Sequence, residues 1–434
     1  MTETHRSLAD VAGAVASCLT GYDPDALTVQ QAQDIIAACV SPVSAIEQVA
    51  LRSALDRILA TDIVSPINVP SHDNSAMDGY ALRGEDLHDG GLVSLAIAGT
   101  AHAGDTGVAA VGAGNCLRIM TGAIMPPDCD TVIPQELTQA DGESRISFAA
   151  GMVRPGDNRR FAGEDLKAGT AALPAGSLIG PADLGLLASL GIAEVPVRRK
   201  LRVAFFSTGN ELRSIGETLD EGCVYDSNRY TLYGMLHRLG CDIIDMGVVP
   251  DEPAALESAL RSACENADAV ITSGGVSVGA ADYTKQIMAT LGDVAFWKIR
   301  MRPGRPMAFG RIASHGCNAF LFGLPGNPVA VMVTFYFIAR PALLRIMGAA
   351  DAPLPLLQVR AEAPIRKKPG RTEYQRGILS RNPQGMQQVR ITGAQGSGIL
   401  RSMSEANCMV VLGDMQGNVA AGDLVEVLPF HGLV

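Results

Sequence analysis

What this 434-residue sequence lacks narrows its class before any motif is read. It contains no C-x-x-C pair, and its nine cysteines are scattered at 18, 39, 116, 129, 223, 241, 264, 317 and 408 with no histidine at zinc spacing. A zinc centre or a disulfide framework is thereby excluded as the organising principle, and buried reduced thiols are expected. No run of Lys and Arg is long enough to track a phosphate backbone, and the formal net charge is −10, which argues against nucleic acid as a partner. The longest apolar run, Val329 to Ala339, is about half of the roughly 20 residues a membrane helix needs, and the opening MTETHRSLAD has no signal-peptide core. A soluble, cytoplasmic protein is the expectation. Charged residues make up only 18% of the chain, so catalytic groups must come from a small set, and any metal should be a hard cation on carboxylate oxygens.

Apolar material is ample, and a single core stops growing at roughly 250 to 300 residues, so several domains are expected. Residues 1–25 form an N-terminal extension. AIEQVALRSALDRILATDI places apolar residues at helical spacing and predicts helix within 26–63, which 166–197 would join as one split helical linker domain. Between them, 64–165 alternates short β-type runs with Gly, Pro and Asp turns, as a β-rich domain does. From 198 to 345 short apolar strands alternate with helices, which predicts a doubly wound α/β domain with a parallel sheet. From 346 to 434 the pattern is β again, a small barrel or sandwich. The fold class expected is thus multidomain α/β plus β.

In an open α/β sheet, ligands bind outside the carboxyl ends of the strands, and the unusual loops of this sequence fall there. VAFFSTGNEL ends in Ser207, Thr208, Gly209, Asn210 and Glu211; AFLFGLPGNPVA ends in Pro325, Gly326, Asn327 and Pro328 before a helix N-terminus that favours an anion. ITSGGVSVGAADYTK carries Ser273, Gly274, Gly275 and Ser277 and leaves through Asp282. It is neither a Walker A nor a dinucleotide fingerprint, so it reads either as a tight strand-to-helix turn capped by Asp282 or as a backbone cradle for a ligand. KIRMRPGRP gathers Lys298, Arg300, Arg302 and Arg305 around a Pro-Gly turn, fit for an anion or for a solvated edge strand. PSHDNSAMDGYAL and DNRRFAGED read as surface turns on chemistry alone.

Taken in this order, DNSAMDGYA, RIMTGA, GED, FSTGNEL, YDSNR, SGGVSVGAADYTK, RPGRP and GLPGNPV resemble the molybdopterin molybdenumtransferases, the molybdenum insertases related to part of gephyrin. The resemblance runs from about residue 40 to the C-terminus. It implies a homodimer of four-domain subunits with active sites shared between them, Mg²⁺ as cofactor, and adenylylated molybdopterin and molybdate converted to molybdenum cofactor and AMP. It also implies the upstream adenylyltransferase as a contact. Carried onto this chain, the family's functional positions are Asp78, Thr121, Arg160, Asp165, Glu211, Asp251, Asp282, Lys298, Arg302, Pro325, Pro328 and Ser397. Glu211 and Asp282 would serve Mg²⁺ and phosphoanhydride cleavage, with Asp78, Asp165 and Asp251 as further catalytic carboxylates. Lys298 and Arg302 would bind the oxyanion, and Ser207, Thr208, Ser273, Gly274, Gly275 and Ser277 the phosphate and nucleotide end. Asp78 and Thr121 would come from the partner subunit.

Two positions depart from the family pattern. Asn210 stands where the family usually has Asp, and a neutral amide is a weaker Mg²⁺ ligand. RPGRP replaces a lysine version, keeping the charge but presenting planar forks. Two rivals remain at this stage: a molybdopterin adenylyltransferase, whose single domain would not need DNSAMDGYA, and a cofactor carrier or scaffold without catalysis.

Overall fold

The computed structural model describes Asp23, residues 26–275, 282–351 and 353–431, and Leu433, without the side chains of Asp282 and Tyr283. The N-terminal extension, apart from Asp23, and Ser277 lie outside the described residues. The chain divides into two compact units. One holds the chain up to Glu47, Asp56–Ala60 and Val197–Val434; the other holds Gln48–Leu55 and Thr61–Pro196.

In the first unit, continuous apolar runs make strands buried on both faces. Strand β1 (Arg202–Thr208) is buried except at its first residue. It sends Val203 and Phe205 into one apolar cluster and Ala204 and Phe206 into another. Helix α1 (Ser227–Arg238) supplies Leu232 and Leu236 to the first cluster, and α2 (Pro253–Asn266) supplies Leu256 and Leu260 to the second. With helices on both sides, an uninterrupted apolar strand is the stable solution. Strands β2 (Asp242–Val249), β3 (Ala269–Ser273), β4 (Gly292–Lys298), β5 (Pro306–Ser314) and β6 (Cys317–Leu324) complete a sheet of order β2-β1-β3-β6-β5-β4, with α3 (Asp282–Leu291) after β3.

The expected parallel sheet is parallel only across β2, β1, β3 and β6; β5 runs antiparallel to both of its neighbours, β6 and β4. The reason lies in SHGC. Ser314 pairs with Cys317, and the two residues between them, His315 (φ 45) and Gly316 (φ 82), adopt the left-handed turn that folds a strand back on itself.

After β6 comes Pro328–Thr334, which continues through a π-helical turn, Phe335–Ala339, into Arg340–Met347. Among the described residues this is the one helix long and apolar enough to cross a membrane, with a mean hydropathy of 1.6. Two-thirds of it (67%) is buried inside the protein, as a core pillar. Helix Val29–Cys39, closed by a Thr28/Gln31 capping box, packs Ala32, Ile35 and Ile36 into the same cluster.

The C-terminal part closes into a five-stranded barrel. Thr372–Arg381, Gln387–Ile391, Leu357–Ala361, Leu424–Pro429 and Cys408–Leu412 are neighbours in that order, and the last pairs back with the first. Val359, Val389, Val410, Val425 and Val427 fill it. In the second unit, Thr131–Pro134, Gly79–Leu82, Asn115–Ile119, Leu92–Ala101, Arg145–Ala149 and Gln139–Asp141 make a six-stranded sheet in that order.

The helix predicted from AIEQVALRSALDRILATDI is absent. That stretch is strand Ile46–Ala50, one 3-10 turn Leu51–Ala54, and extended chain. Its backbone groups bond to distant partners instead of to one another: Leu51 N–H donates to Ala193 O, and Ile58 O accepts from Arg198 N–H. Helical spacing of apolar residues does not reveal such long-range competition. Among the described residues the cysteines are free thiols. Burial pushes Cys116, Cys129, Cys241 and Cys408 up to about 12, which keeps them protonated and unreactive.

Candidate active site

The register of the parallel strands puts three of the singled-out loops side by side. Ser207 on β1 is level with Ser273 on β3, and Ser273 with Leu324 on β6. Backbone approach is close here. A Cβ on Gly274, whose φ is +96, would sit 2.6 Å from the Thr208 carbonyl oxygen, so only glycine fits. Gly274 N–H donates to Leu324 O (3.1 Å), and the buried Asn228 donates to the Ser273 hydroxyl (2.8 Å) and to Gly326 O (2.6 Å). Pro325 is buried at the end of β6, and Pro328 is the first residue of the following helix, where a missing N–H costs nothing.

Oxygen donors line this edge. Thr208 lies 3.5 Å from the Asp251 carboxylate, and Glu211 is exposed, its carboxylate folded back against Gly209. Asn210 uses its amide oxygen to accept the Asp251 N–H (3.2 Å), so it orders the Asp251 loop. Ser207 is buried and its hydroxyl has no hydrogen-bond partner among the described residues. Asp282 opens α3. Among the described residues no group of three or more His, Cys, Asp and Glu is arranged to hold a metal. The donors nevertheless suit a hard cation, which needs only one or two carboxylates when it keeps its waters.

Ser397 belongs to the barrel, yet its carbonyl accepts the Val329 N–H (3.0 Å) at the start of the long helix, which brings it beside Pro328. The same loop leads to a residue that sequence reasoning missed. Arg376 is 1% exposed and donates to Ser402 Oγ (3.0 Å), Gly396 O (3.0 Å) and Ala394 O (3.5 Å), none of them a carboxylate. Burial, with Arg302 adding repulsion, lowers its guanidinium to about 10. Arg302, Arg366, Arg376, Glu373 and Gln395 line one cavity of about 270 Å³. Arg302 is 55% exposed and 3.9 Å from the buried Glu373, its neighbour across the Met301–Thr372 strand pairing. The cavity therefore carries more positive than negative charge. Lys298 sits at the end of β4, opposite Pro306 and four residues before Arg302. Nothing in EYQRGIL distinguishes Arg376 from a solvent-facing strand arginine, since its burial depends on barrel closure.

In the second unit, the polar turns also converge. Asp78 Oδ1 accepts from both the Thr121 N–H and the Thr121 hydroxyl, each at 2.7 Å, and these bonds hold its carboxyl below the usual range. Asp73 accepts the Ala162 N–H (2.7 Å) and a fork from Arg159, which likewise lower its pKa. Arg160 pairs with Asn74 across a short antiparallel bridge, and Asp165 donates its N–H to Val69 O (3.1 Å). Asp78, Thr121, Arg160 and Asp165 are all exposed. DNSAMDGYA, IMTGA and DNRRFAGED thus form one polar face.

Comparison with known proteins identifies the family. Three family models tile the chain: the MoeA N-terminal region (domain I and II) over residues 27–191, a probable molybdopterin binding domain over 204–345, and the MoeA C-terminal region (domain IV) over 358–430. A molybdopterin molybdenumtransferase of Haemophilus influenzae is 43% identical over 389 residues, covering 89% of this chain and 95% of its own. A gephyrin of Dictyostelium discoideum is 31% identical over 440 residues, covering 91% of this chain and 61% of its own. The crystal structure of the molybdopterin biosynthesis moeA protein of Pyrococcus horikoshii OT3 matches with a TM-score of 0.79 at 27% identity, covering 94% of this chain and 100% of that one. The motifs, the fold and these relatives agree, and the chain belongs to the molybdopterin molybdenumtransferase family.

Proposed function

We propose that this enzyme of molybdenum cofactor biosynthesis inserts molybdate into adenylylated molybdopterin and releases AMP. The observation that carries the reading is the continuity between two anion-suited places in one compact unit. Glycine-lined strand ends lead through the helix N-terminus and Ser397 to a cavity lined by three arginines. Phosphates suit the first, which offers backbone N–H groups, hydroxyls and the N-terminus of a 20-residue helix. A tetrahedral oxyanion suits the second, where guanidinium forks meet little opposing charge.

Glu211 and Asp282 are proposed to hold Mg²⁺ at the edge where Asp251 lies 3.5 Å from the Thr208 hydroxyl; when bound, the ion would neutralise phosphate charge during cleavage. Lys298, Arg302 and Arg376 are proposed to hold molybdate near the dithiolene that receives it. The Asp78–Thr121 face is proposed to complete the site from a second copy of the chain, in a cytoplasmic homodimer. An adenylyltransferase reading is not favoured, because the family matches extend to residues 27–191 and 358–430, outside the shared α/β domain.

The test is a single-turnover assay with adenylylated molybdopterin, Mg²⁺ and either molybdate or tungstate, following AMP release and reconstitution of an apo-molybdoenzyme. AMP release with active cofactor is expected, and Glu211→Gln should slow it about a hundredfold, the scale of losing one charge-assisted contact in a transition state. Tight substrate binding with no AMP would leave a carrier or scaffold in place of an enzyme.

A further inference from the structure

Asn228, in the first turn of α1, is 8% exposed and joins two of the three strand-end loops. Its Nδ2 donates to Ser273 Oγ at 2.8 Å and to Gly326 O at 2.6 Å. A carbonyl oxygen only accepts, so the side-chain amide must present its NH₂ to Gly326, which fixes its orientation. Two consequences follow for the loops themselves. A serine oxygen that accepts from Asn228 keeps its own proton for another acceptor. In a trans peptide the C=O of one residue and the N–H of the next point in opposite directions, so tying Gly326 O to Asn228 turns the Asn327 N–H away from it.

We propose that Asn228 is a positioning residue that sets hydrogen-bond polarity at the nucleotide end of the site, withdrawing a carbonyl and leaving donors for phosphate oxygens. The inference rests on the reading that these strand ends take the phosphate of an adenylylated substrate. Asn228 touches no reacting atom; it acts through Ser273 and through the peptide after Gly326. Its removal would leave the Gly326 carbonyl free to face an anion and the Ser273 hydroxyl free to donate to it. Asn228→Asp is the sharper change, since it is nearly isosteric. A carboxylate oxygen would replace the NH₂, repel Gly326 O and draw the Ser273 proton inward.

The test is titration of the full-length protein with AMP by calorimetry, together with the thermal midpoint of each variant. N228D is expected to weaken AMP binding by about tenfold or more, the size of one hydrogen bond to a charged group, and to weaken it more than N228A. In a Ser273→Ala background the same change should cost much less, because part of the effect travels through that hydroxyl. Equal AMP affinity of N228D and wild type, or losses that follow thermal stability alone and persist unchanged without Ser273, would overturn the positioning role. A wild-type protein that does not bind AMP would overturn the nucleotide reading itself, and the inference with it.

Discussion

At the scale of single residues, Asp78 shows how a carboxylate can be held ionised without burial. Its carboxylate is exposed, and the two bonds from Thr121 keep its pKa below that of the unfolded chain. A lowered folded-state pKa means the stabilisation is fully present above the unfolded value and is lost as pH falls through the folded one. The stability gap between wild type and Asp78→Ala, read from denaturant midpoints, should therefore be constant from pH 7 to 5. It should begin to close only below about pH 4, the ordinary carboxylate value. A gap that closes between pH 7 and 5 would point to a different group. On chemistry alone the stretch around Asp78 reads as a surface turn, and only the family resemblance singled it out; its bonds to Thr121, 43 residues on, are not visible in a local motif. Arg376 went unnoticed because it is buried by barrel closure, and Asn228 was seen only inside YDSNR, because its role depends on partners 45 and 98 residues away.

At the scale of elements, backbone proximity decides more than propensity. A Cβ on Gly79 would lie 2.0 Å from Ile133 O in the adjacent strand, so Gly79→Ala must push two strands apart. That should cost roughly 3 kcal/mol, within the range for overpacking a fitted interior, and be read as a lower urea midpoint. Gly185→Ala is the control: it lies within helix Pro181–Ser189 with nothing near its added methyl, so it should be neutral or stabilising by roughly 0.5–1 kcal/mol. If both behave alike, steric approach at Gly79 is not the cause. The strands and helices of the α/β domain were readable because each is long, apolar and punctuated by glycine. The segment 45–63 was misread because its partners lie at 193 to 199, and period alone does not reveal a partner that far off. SHGC was a legible hairpin signal that alternation of strand and helix obscured.

At the scale of the whole molecule, the proposed sharing of sites makes a prediction that no single chain can meet. Asp78→Ala and Glu211→Ala chains, each inactive alone, should recover about a quarter of wild-type activity when co-folded in equal amounts. Half of the dimers would be mixed, and each mixed dimer would hold one intact site and one doubly altered one. Activity no higher than that of the separate variants would place the Asp78 face and Glu211 in the same chain's site. The multidomain plan was legible from composition shifts along the chain, whereas closure of the last domain required knowing which strands meet.

That closure has a mechanical consequence. Thr372–Arg381 is bonded on both sides, to Gln387–Ile391 and to Cys408–Leu412, and it carries Glu373 and Arg376 on the wall of the arginine cavity. Its first half, Glu373–Gly377, is laddered to one neighbour and its second half, Gly377–Arg381, to the other, so the amide protons around Gly377, where both ladders meet, should be the slowest of the strand to exchange. The guanidinium of Arg376 is thus fixed to the closed ring itself, through Ser402, Gly396 and Ala394, while Arg302 on the same cavity stays exposed.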